Sequence, residues 1–184
     1  MRDSLWVRQI LQGNRAAGER LVSENYPRLY RLLRYLTADP DIAEDLTQQT
    51  FIKAWQALPG YKGEARLVTW LHRIAYHEYT HWLRARRNEA PLDAAAEIAD
   101  ARALQGLQTV YLARALAQLS DELRDTFLLF YVQELSVSEV AAVLDLPPGT
   151  IKSRLFTARQ RLRELLQESS DPAAAQASIP APVL

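Results

Sequence analysis

Three residues within one predicted helix have the types and spacing of a metal-dependent hydrolase. His77, Glu78 and His81 form the pattern HExxH. On a helix this spacing places two imidazoles one turn apart, where they could share a Zn²⁺ ion with the glutamate beside them as general base. A catalytic zinc also needs a third protein ligand, for which the plausible carboxylates downstream are Glu97 and Asp100. Because arginines that would repel a cation follow His81 closely, we expect a chance match and no bound metal or cofactor.

The same segment combines basic with aromatic side chains. Between residues 62 and 87, six lysines and arginines outnumber two glutamates, and aromatic residues lie among them. Basic side chains that follow a phosphate backbone, next to aromatic faces on which unpaired bases stack, are typical of single-stranded nucleic-acid binding. The alternative is that the charges form a solvated face, and for Trp70 alone we favour packing in the core.

A second basic segment lies near the C-terminus. Ser136 and Glu139 have the spacing of a capping box, which predicts the start of a helix. That helix is expected to end near Asp145, and the next begins at Pro147. Residues 150 to 163 contain five basic side chains and no acid. Two short helices joined by a tight turn, the second of them basic, are typical of a reader of the DNA major groove; a solvated helix closing a bundle is the alternative.

Helical periodicity runs through most of the chain and predicts an all-α fold. Helices are expected over about residues 4–12, 40–58 and 68–87, and Pro27 is expected to break or kink a helix that follows Gly13. Residues 88–101 are acidic and rich in alanine, which predicts a flexible linker, and residues 169–184 are rich in alanine and proline, which predicts a disordered tail. The predicted organisation is therefore two small helical domains, 1–87 and 102–168, with linker 88–101 and tail 169–184.

The global composition hides this division. The 184 residues carry 22 basic and 22 acidic side chains, so the formal net charge is zero, and there is no cysteine. Lack of cysteine excludes disulfides, thiolate metal sites and cysteine nucleophiles, and suits a reducing compartment. No apolar run is long enough to insert into a membrane and no secretory signal is visible, so we expect a cytoplasmic protein. The net charge is zero because acidic and basic segments cancel. Acidic residues lie in 39–45 and in the linker, and basic residues lie in 62–87 and 150–163.

Three segments in this order resemble the extracytoplasmic function (ECF) class of RNA polymerase sigma factors. DIAEDLTQQTFIKAWQAL (41–58) resembles region 2.2 of that family, and YKGEARLVTWLHRIAYHEYTHWLRARR (61–87) resembles regions 2.3 and 2.4. Residues 119–166, which include PGTIKSRLFTAR, resemble region 4. The resemblance implies a sigma region 2 bundle in 1–87 and a sigma region 4 helix-turn-helix in 102–168.

The resemblance also implies three sets of contact residues. Those expected to bind polymerase are Asp45, Gln48, Gln49, Phe51, Lys53 and Trp55. Those expected to bind the minus-10 element and open the duplex are Tyr61, Lys62, Arg66, Trp70, Arg73, His77, His81 and Arg84. Those expected to bind the minus-35 element are Thr150, Lys152, Ser153, Arg154, Phe156, Thr157 and Arg159.

Four of these positions depart from the family pattern. His77 stands where asparagine is common, His81 where aspartate is usual, Gln49 where an acid is usual and Thr157 where a basic residue is frequent. Histidine can donate or accept a hydrogen bond or stack on a base, and its charge changes near neutral pH. The family's preference for a minus-10 sequence therefore does not transfer to this chain.

A transcription initiation factor without catalytic chemistry of its own is the function that the resemblance implies. The implied partners are core RNA polymerase, through its β′ coiled coil and β flap, promoter DNA and an anti-sigma factor. Two other interpretations stay open at this point. One is an autonomous helix-turn-helix regulator whose first domain senses a ligand or dimerises; the other is the zinc enzyme.

Overall fold

The computed structural model describes residues 2–89 and 110–168. These residues form eight α-helices and contain no strand, which confirms the all-α prediction. Most of the predicted linker, the expected start of a helix near Arg102 and the predicted tail lie outside the described residues. No helix within the described ranges is long and apolar enough to cross a membrane.

The first helical group contains four helices, and capping side chains define two of its starts. The side-chain oxygen of Asn14 accepts a hydrogen bond from the backbone N–H of Ala17, and that of Asp39 accepts two, from Asp41 and Ile42. These bonds satisfy N–H groups that have no partner within the helix. The helices are α1 (Arg2–Leu11), α2 (Arg15–Thr37), α3 (Pro40–Ala57), which a 3₁₀ turn (Leu58–Gly60) follows, and α4 (Leu67–Glu89).

Of the break or kink expected at Pro27, the break is wrong, because α2 continues through this residue from Arg15 to Thr37. Proline removes one hydrogen bond, the one to the carbonyl of Ser23 four residues earlier. Ser23 and Pro27 are both exposed, so this site of weakness lies on the water side of the helix. Leu21, Leu29 and Leu33 are completely buried on the other side, and their packing keeps the helix in one piece.

The second helical group contains the predicted helix-turn-helix. The Ser136–Glu139 capping box is present, with both reciprocal bonds formed. Asp145 ends the first helix of the pair in the left-handed region with a φ of 55°, a conformation that aspartate tolerates better than most residues. The helices are α5 (Val110–Ala117), α6 (Asp121–Phe127), which a π-helical turn (Leu128–Val132) follows, α7 (Val137–Leu144) and α8 (Pro148–Glu168). The predicted apolar stripe of α8 is buried as expected: Ile151, Leu155, Ala158, Leu162 and Leu165.

The second group packs on one side of α4, and polar bonds join the two groups. Glu139 of the capping box also accepts hydrogen bonds from the Thr69 hydroxyl at 2.8 Å and the Arg66 guanidinium at 3.3 Å. The buried ring of His72 contacts the Gln133 side chain at 3.0 Å, and burial lowers the pKa of that histidine. Sequence periodicity did not predict this contact, since its partners are distant in the chain and polar.

A further bond in this contact buries an acid. The Tyr76 hydroxyl on α4 donates to the Asp125 carboxylate on α6 at 3.0 Å, and Asp125 is 3% exposed. Burial raises the pKa of Asp125 from 3.8 to about 6, although the neighbouring Arg124 and the Tyr76 hydroxyl act in the opposite direction. The contact between the groups therefore includes a buried carboxyl group whose pKa is raised to about 6.

We expect this carboxyl group to make stability fall as the pH rises. The folded protein binds the proton more tightly than the unfolded chain. The loss of unfolding free energy caused by ionising the buried carboxyl group is therefore absent below about pH 4 and complete above about pH 6. Relative to Asp125→Asn, the wild type should lose up to about 3 kcal/mol of unfolding free energy across that interval. Urea unfolding of both proteins at a series of pH values measures the difference, and parallel pH profiles would contradict the prediction.

Candidate functional site

One face of α4 carries most of the residues predicted to read the minus-10 element. Their positions follow one another at steps of three and four residues, which places them on a single side of a helix. Arg73, His81 and Arg84 are exposed, and the side chains of Arg66 and His77 are 70% and 72% exposed. We call this face the α4 stripe; its members are Arg66, which directly precedes α4, and Trp70, Arg73, His77, His81 and Arg84.

The α4 stripe lies beside the contact with the second helical group and is mostly free of it. Thr69, His72 and Tyr76 face the second group, whereas Arg73 and His77 face solvent. Arg66 is shared, because its guanidinium reaches Glu139 at 3.3 Å. A nucleic-acid strand could therefore approach the stripe along most of its length.

An aromatic pair lies at the N-terminal end of the stripe. Tyr61 and Trp70 meet edge to face, with ring centroids 5.4 Å apart. The Tyr61 hydroxyl donates to the backbone oxygen of Ala65 at 2.6 Å, which closes the loop between the 3₁₀ turn and α4. Trp70 is half-buried, and Lys62 in the same loop is exposed. The pair fixes the loop beside the cations of the stripe.

The residues predicted to bind polymerase divide into an exposed face of α3 and its two edges. Asp45, Gln48 and Gln49 are exposed, and Trp55 continues the same side with 46% of its surface exposed. Phe51 lies at one edge, where it stacks on Tyr26 with ring centroids 5.9 Å apart. Lys53 lies at the other edge and extends to α4, so its role is to join two helices as much as to present a charge.

Ile52 belongs to this face and was missed by sequence reasoning. Half of its surface is exposed, in the middle of the side formed by Asp45, Gln48, Gln49 and Trp55. Helical spacing was the available signal, because Ile52 follows Asp45 by seven residues, Gln48 by four and Gln49 by three. We call these five residues the α3 face.

A glycine in α2 determines how Trp55 is presented. A Cβ atom at Gly18 would lie 3.1 Å from Cη2 and 3.2 Å from Cζ2 of the indole, so glycine allows the ring to approach α2 closely. The ring also forms a wall of a groove of about 560 Å³, together with Ile10 and Val22. Trp55 is thus supported on one side and open to a partner on the other.

The exposed side of α8 carries four of the residues predicted to read the minus-35 element. Lys152, Ser153, Phe156 and Thr157 are exposed, and Phe156 presents 57% of its surface. Thr150, Arg154 and Arg159 lie at the edges of this side and are partly buried. Of these, Arg154 is bound to Glu122 of α6 at 2.8 Å.

The HExxH residues do not form the geometry of a zinc hydrolase. Glu78 is turned inward and is 7% exposed, and its Oε1 accepts a hydrogen bond from Lys53 at 2.7 Å. A buried carboxylate that is paired with an ammonium group is a poor general base, because it cannot reach a water molecule at the protein surface. No group of three His, Asp or Glu side chains placed to hold a metal occurs within residues 2–89 and 110–168.

Family models match both helical groups. The model described as sigma-70 region 2 matches residues 21–89, and the model described as sigma-70, region 4, matches residues 109–162. The RNA polymerase sigma-H factor of Pseudomonas aeruginosa is 30% identical over 181 residues, which cover 90% of this chain and 94% of that protein. The ECF RNA polymerase sigma-E factor of Haemophilus influenzae is 29% identical, with 90% and 95% covered.

Two solved structures share the fold, and one of them is a named sigma factor. The sigma factor RpoE of Bartonella quintana, in complex with the anti-sigma factor NepR, matches with a TM-score of 0.67 and 27% identity, covering 82% of this chain and 97% of that one. CnrH, in complex with the cytosolic domain of CnrY, matches with a TM-score of 0.71 and 26% identity, covering 91% and 99%.

A region 2 bundle followed by a region 4 helix-turn-helix defines a factor that gives RNA polymerase its promoter specificity. The α3 face, the α4 stripe and α8 occupy these two regions in that order. The chain belongs to the ECF sigma factors. As a member of that family it binds RNA polymerase and promoter DNA and directs promoter-specific transcription initiation.

Proposed function

We propose a division of labour among three surfaces of this sigma factor. The α3 face docks on the β′ coiled coil of polymerase, the α4 stripe with the Tyr61 loop reads and opens the minus-10 element, and the exposed side of α8 reads the minus-35 element. Region 4 also contacts the β flap. The observation that carries the proposal is the α4 stripe, in which cations and imidazoles share one solvent-facing side of a helix.

In this proposal the factor recognises the promoter and opens the DNA duplex, and it performs no catalysis of its own. Polymerase supplies the chemistry, and the factor acts in the cytoplasm. Tethered domains 1–87 and 102–168 would let two weak DNA contacts act together through their effective concentration. We also propose regulation by an anti-sigma factor, which is supported by the structural relative RpoE of Bartonella quintana, bound to the anti-sigma factor NepR.

The direct test is in vitro transcription with core RNA polymerase on a library of promoters. The wild type should select a subset of templates that share sequence near positions minus-10 and minus-35. Uniform initiation, or none, would contradict the proposal. Tight sequence-specific DNA binding by the factor without polymerase would instead favour an autonomous regulator.

Lys152→Ala should weaken recognition of the upstream element. Lys152 is exposed near the start of α8, where a side chain that contacts a base edge contributes about 1–3 kcal/mol of discrimination. We expect about a tenfold or greater loss of initiation on promoters that depend on minus-35. Arg161→Ala is the matched control, since Arg161 lies on the same helix but is paired with Glu164 at 2.9 Å. Equal losses in the two variants would show a general charge effect.

A further inference from the structure

Glu78 is a buried acid that none of the proposed contacts uses. It lies on α4 next to the α4 stripe, yet its side chain turns between α4 and α3 and is 8% exposed. Its Oε1 atom accepts two hydrogen bonds, from Nζ of Lys53 at 2.7 Å and from Nδ1 of His77 at 3.3 Å. One carboxylate oxygen therefore joins the α3 helix to a residue of the stripe.

These bonds determine which atom of His77 is presented outward. Because the carboxylate oxygen is an acceptor, Nδ1 of His77 carries the proton, and in the neutral ring Nε2 is left with a lone pair. The side chain of His77 is 72% exposed, whereas Glu78 is almost completely covered. The protein thus holds one ring nitrogen and leaves the other free to meet a ligand on the stripe.

Lys53 keeps the carboxylate in the form this arrangement needs. Burial would raise the pKa of Glu78, but hydrogen bonds and charge from Lys53 and His77 lower it overall, so the group remains ionised. A hydrogen bond from Nδ1 to an ionised carboxylate also fixes the tautomer of histidines in catalytic and metal sites.

Resting on the role proposed above for the α4 stripe, we propose that Glu78 is a positioning residue for promoter reading. It holds Nδ1 of His77 so that Nε2 accepts a hydrogen bond from the exocyclic amino group of an unpaired adenine, cytosine or guanine in the minus-10 element. Adenine N6, cytosine N4 and guanine N2 carry such groups, and thymine has none. The pair His77–Glu78 would then set part of the minus-10 preference that departs from the family pattern.

The test compares base preference, rather than total activity, in four holoenzymes. Promoters carrying each of the four bases at each minus-10 position are transcribed with the wild type, His77→Ala, Glu78→Met and His77→Ala/Glu78→Met. At one position, the wild type should prefer adenine, cytosine or guanine over thymine by about threefold to tenfold, and we expect His77→Ala to remove that preference. Glu78→Met should remove the same preference, and the double variant should lose no more than His77→Ala alone.

Glu78→Gln is the conservative control, because its amide oxygen can still accept from Lys53 and from Nδ1 of His77. It should retain most of the base preference that Glu78→Met loses. An intact preference in Glu78→Met, an equal loss on every promoter, additive effects with His77→Ala, or a His77-dependent preference for thymine would each overturn the inference. If the wild type selects no promoters, the proposed function fails as well; if it selects them and only these comparisons fail, the inference alone is wrong.

Discussion

Trp55→Ala should weaken assembly with core RNA polymerase by roughly thirtyfold or more. Trp55 is the largest exposed side chain of the α3 face, and tryptophans in the centre of protein interfaces commonly contribute about 2 kcal/mol or more when truncated. Its ring is supported by close contact with Gly18, so little freedom is lost on binding. Titration of labelled factor with core enzyme, in the absence of DNA, measures the change in Kd.

Leu5→Ala is the control for this experiment. Leu5 is 60% exposed on α1, so its replacement also removes an exposed apolar side chain but leaves the α3 face unchanged. We expect the control to bind core enzyme as the wild type does. A similar affinity for wild type and Trp55→Ala would show that polymerase docks elsewhere.

Regular helical spacing explains why much of these surfaces was predictable. The steps of four and three residues that connect Arg66, Trp70 and Arg73 place them on one side of any helix, whatever surrounds it. The same spacing places Ile52 on the α3 face, whereas a resemblance to a family indicates only the positions that match its pattern. Local capping was equally visible, because the Ser136–Glu139 box depends only on residues three positions apart.

Contacts between distant residues were not predictable in this way. The motif HExxH places Glu78 among the possible catalytic groups. Only the packing of α3 on α4 shows that Lys53 donates a hydrogen bond to the Glu78 carboxylate. Bonds such as Tyr76–Asp125 join positions far apart in the chain, and their formation depends on how two whole helical groups meet. Periodicity indicates which side of a helix is apolar. It does not indicate which polar groups of another helix will face the polar groups of this one.

The double variant Arg73→Ala/Arg84→Ala should open promoters less efficiently and bind with a weaker dependence on salt. Both arginines are exposed on the α4 stripe, so their removal leaves no buried group without a partner. If each contacts one phosphate of the open strand, the slope of log binding against log salt should become shallower by about 1.4. Loss of two charge-assisted contacts should also reduce opening at low salt by roughly tenfold to a hundredfold.

A control with the same net charge separates contact from general attraction. Arg15→Ala/Arg161→Ala also removes two exposed arginines, each of them paired with a glutamate on its own helix and outside the α4 stripe. Permanganate footprinting of holoenzyme on one promoter at several salt concentrations gives opening, and filter binding gives the slope. Because long-range attraction depends on total charge whereas phosphate contacts depend on position, only Arg73→Ala/Arg84→Ala should change the slope by the full amount. Equal slopes for the two double variants would place the single strand on another surface of the protein.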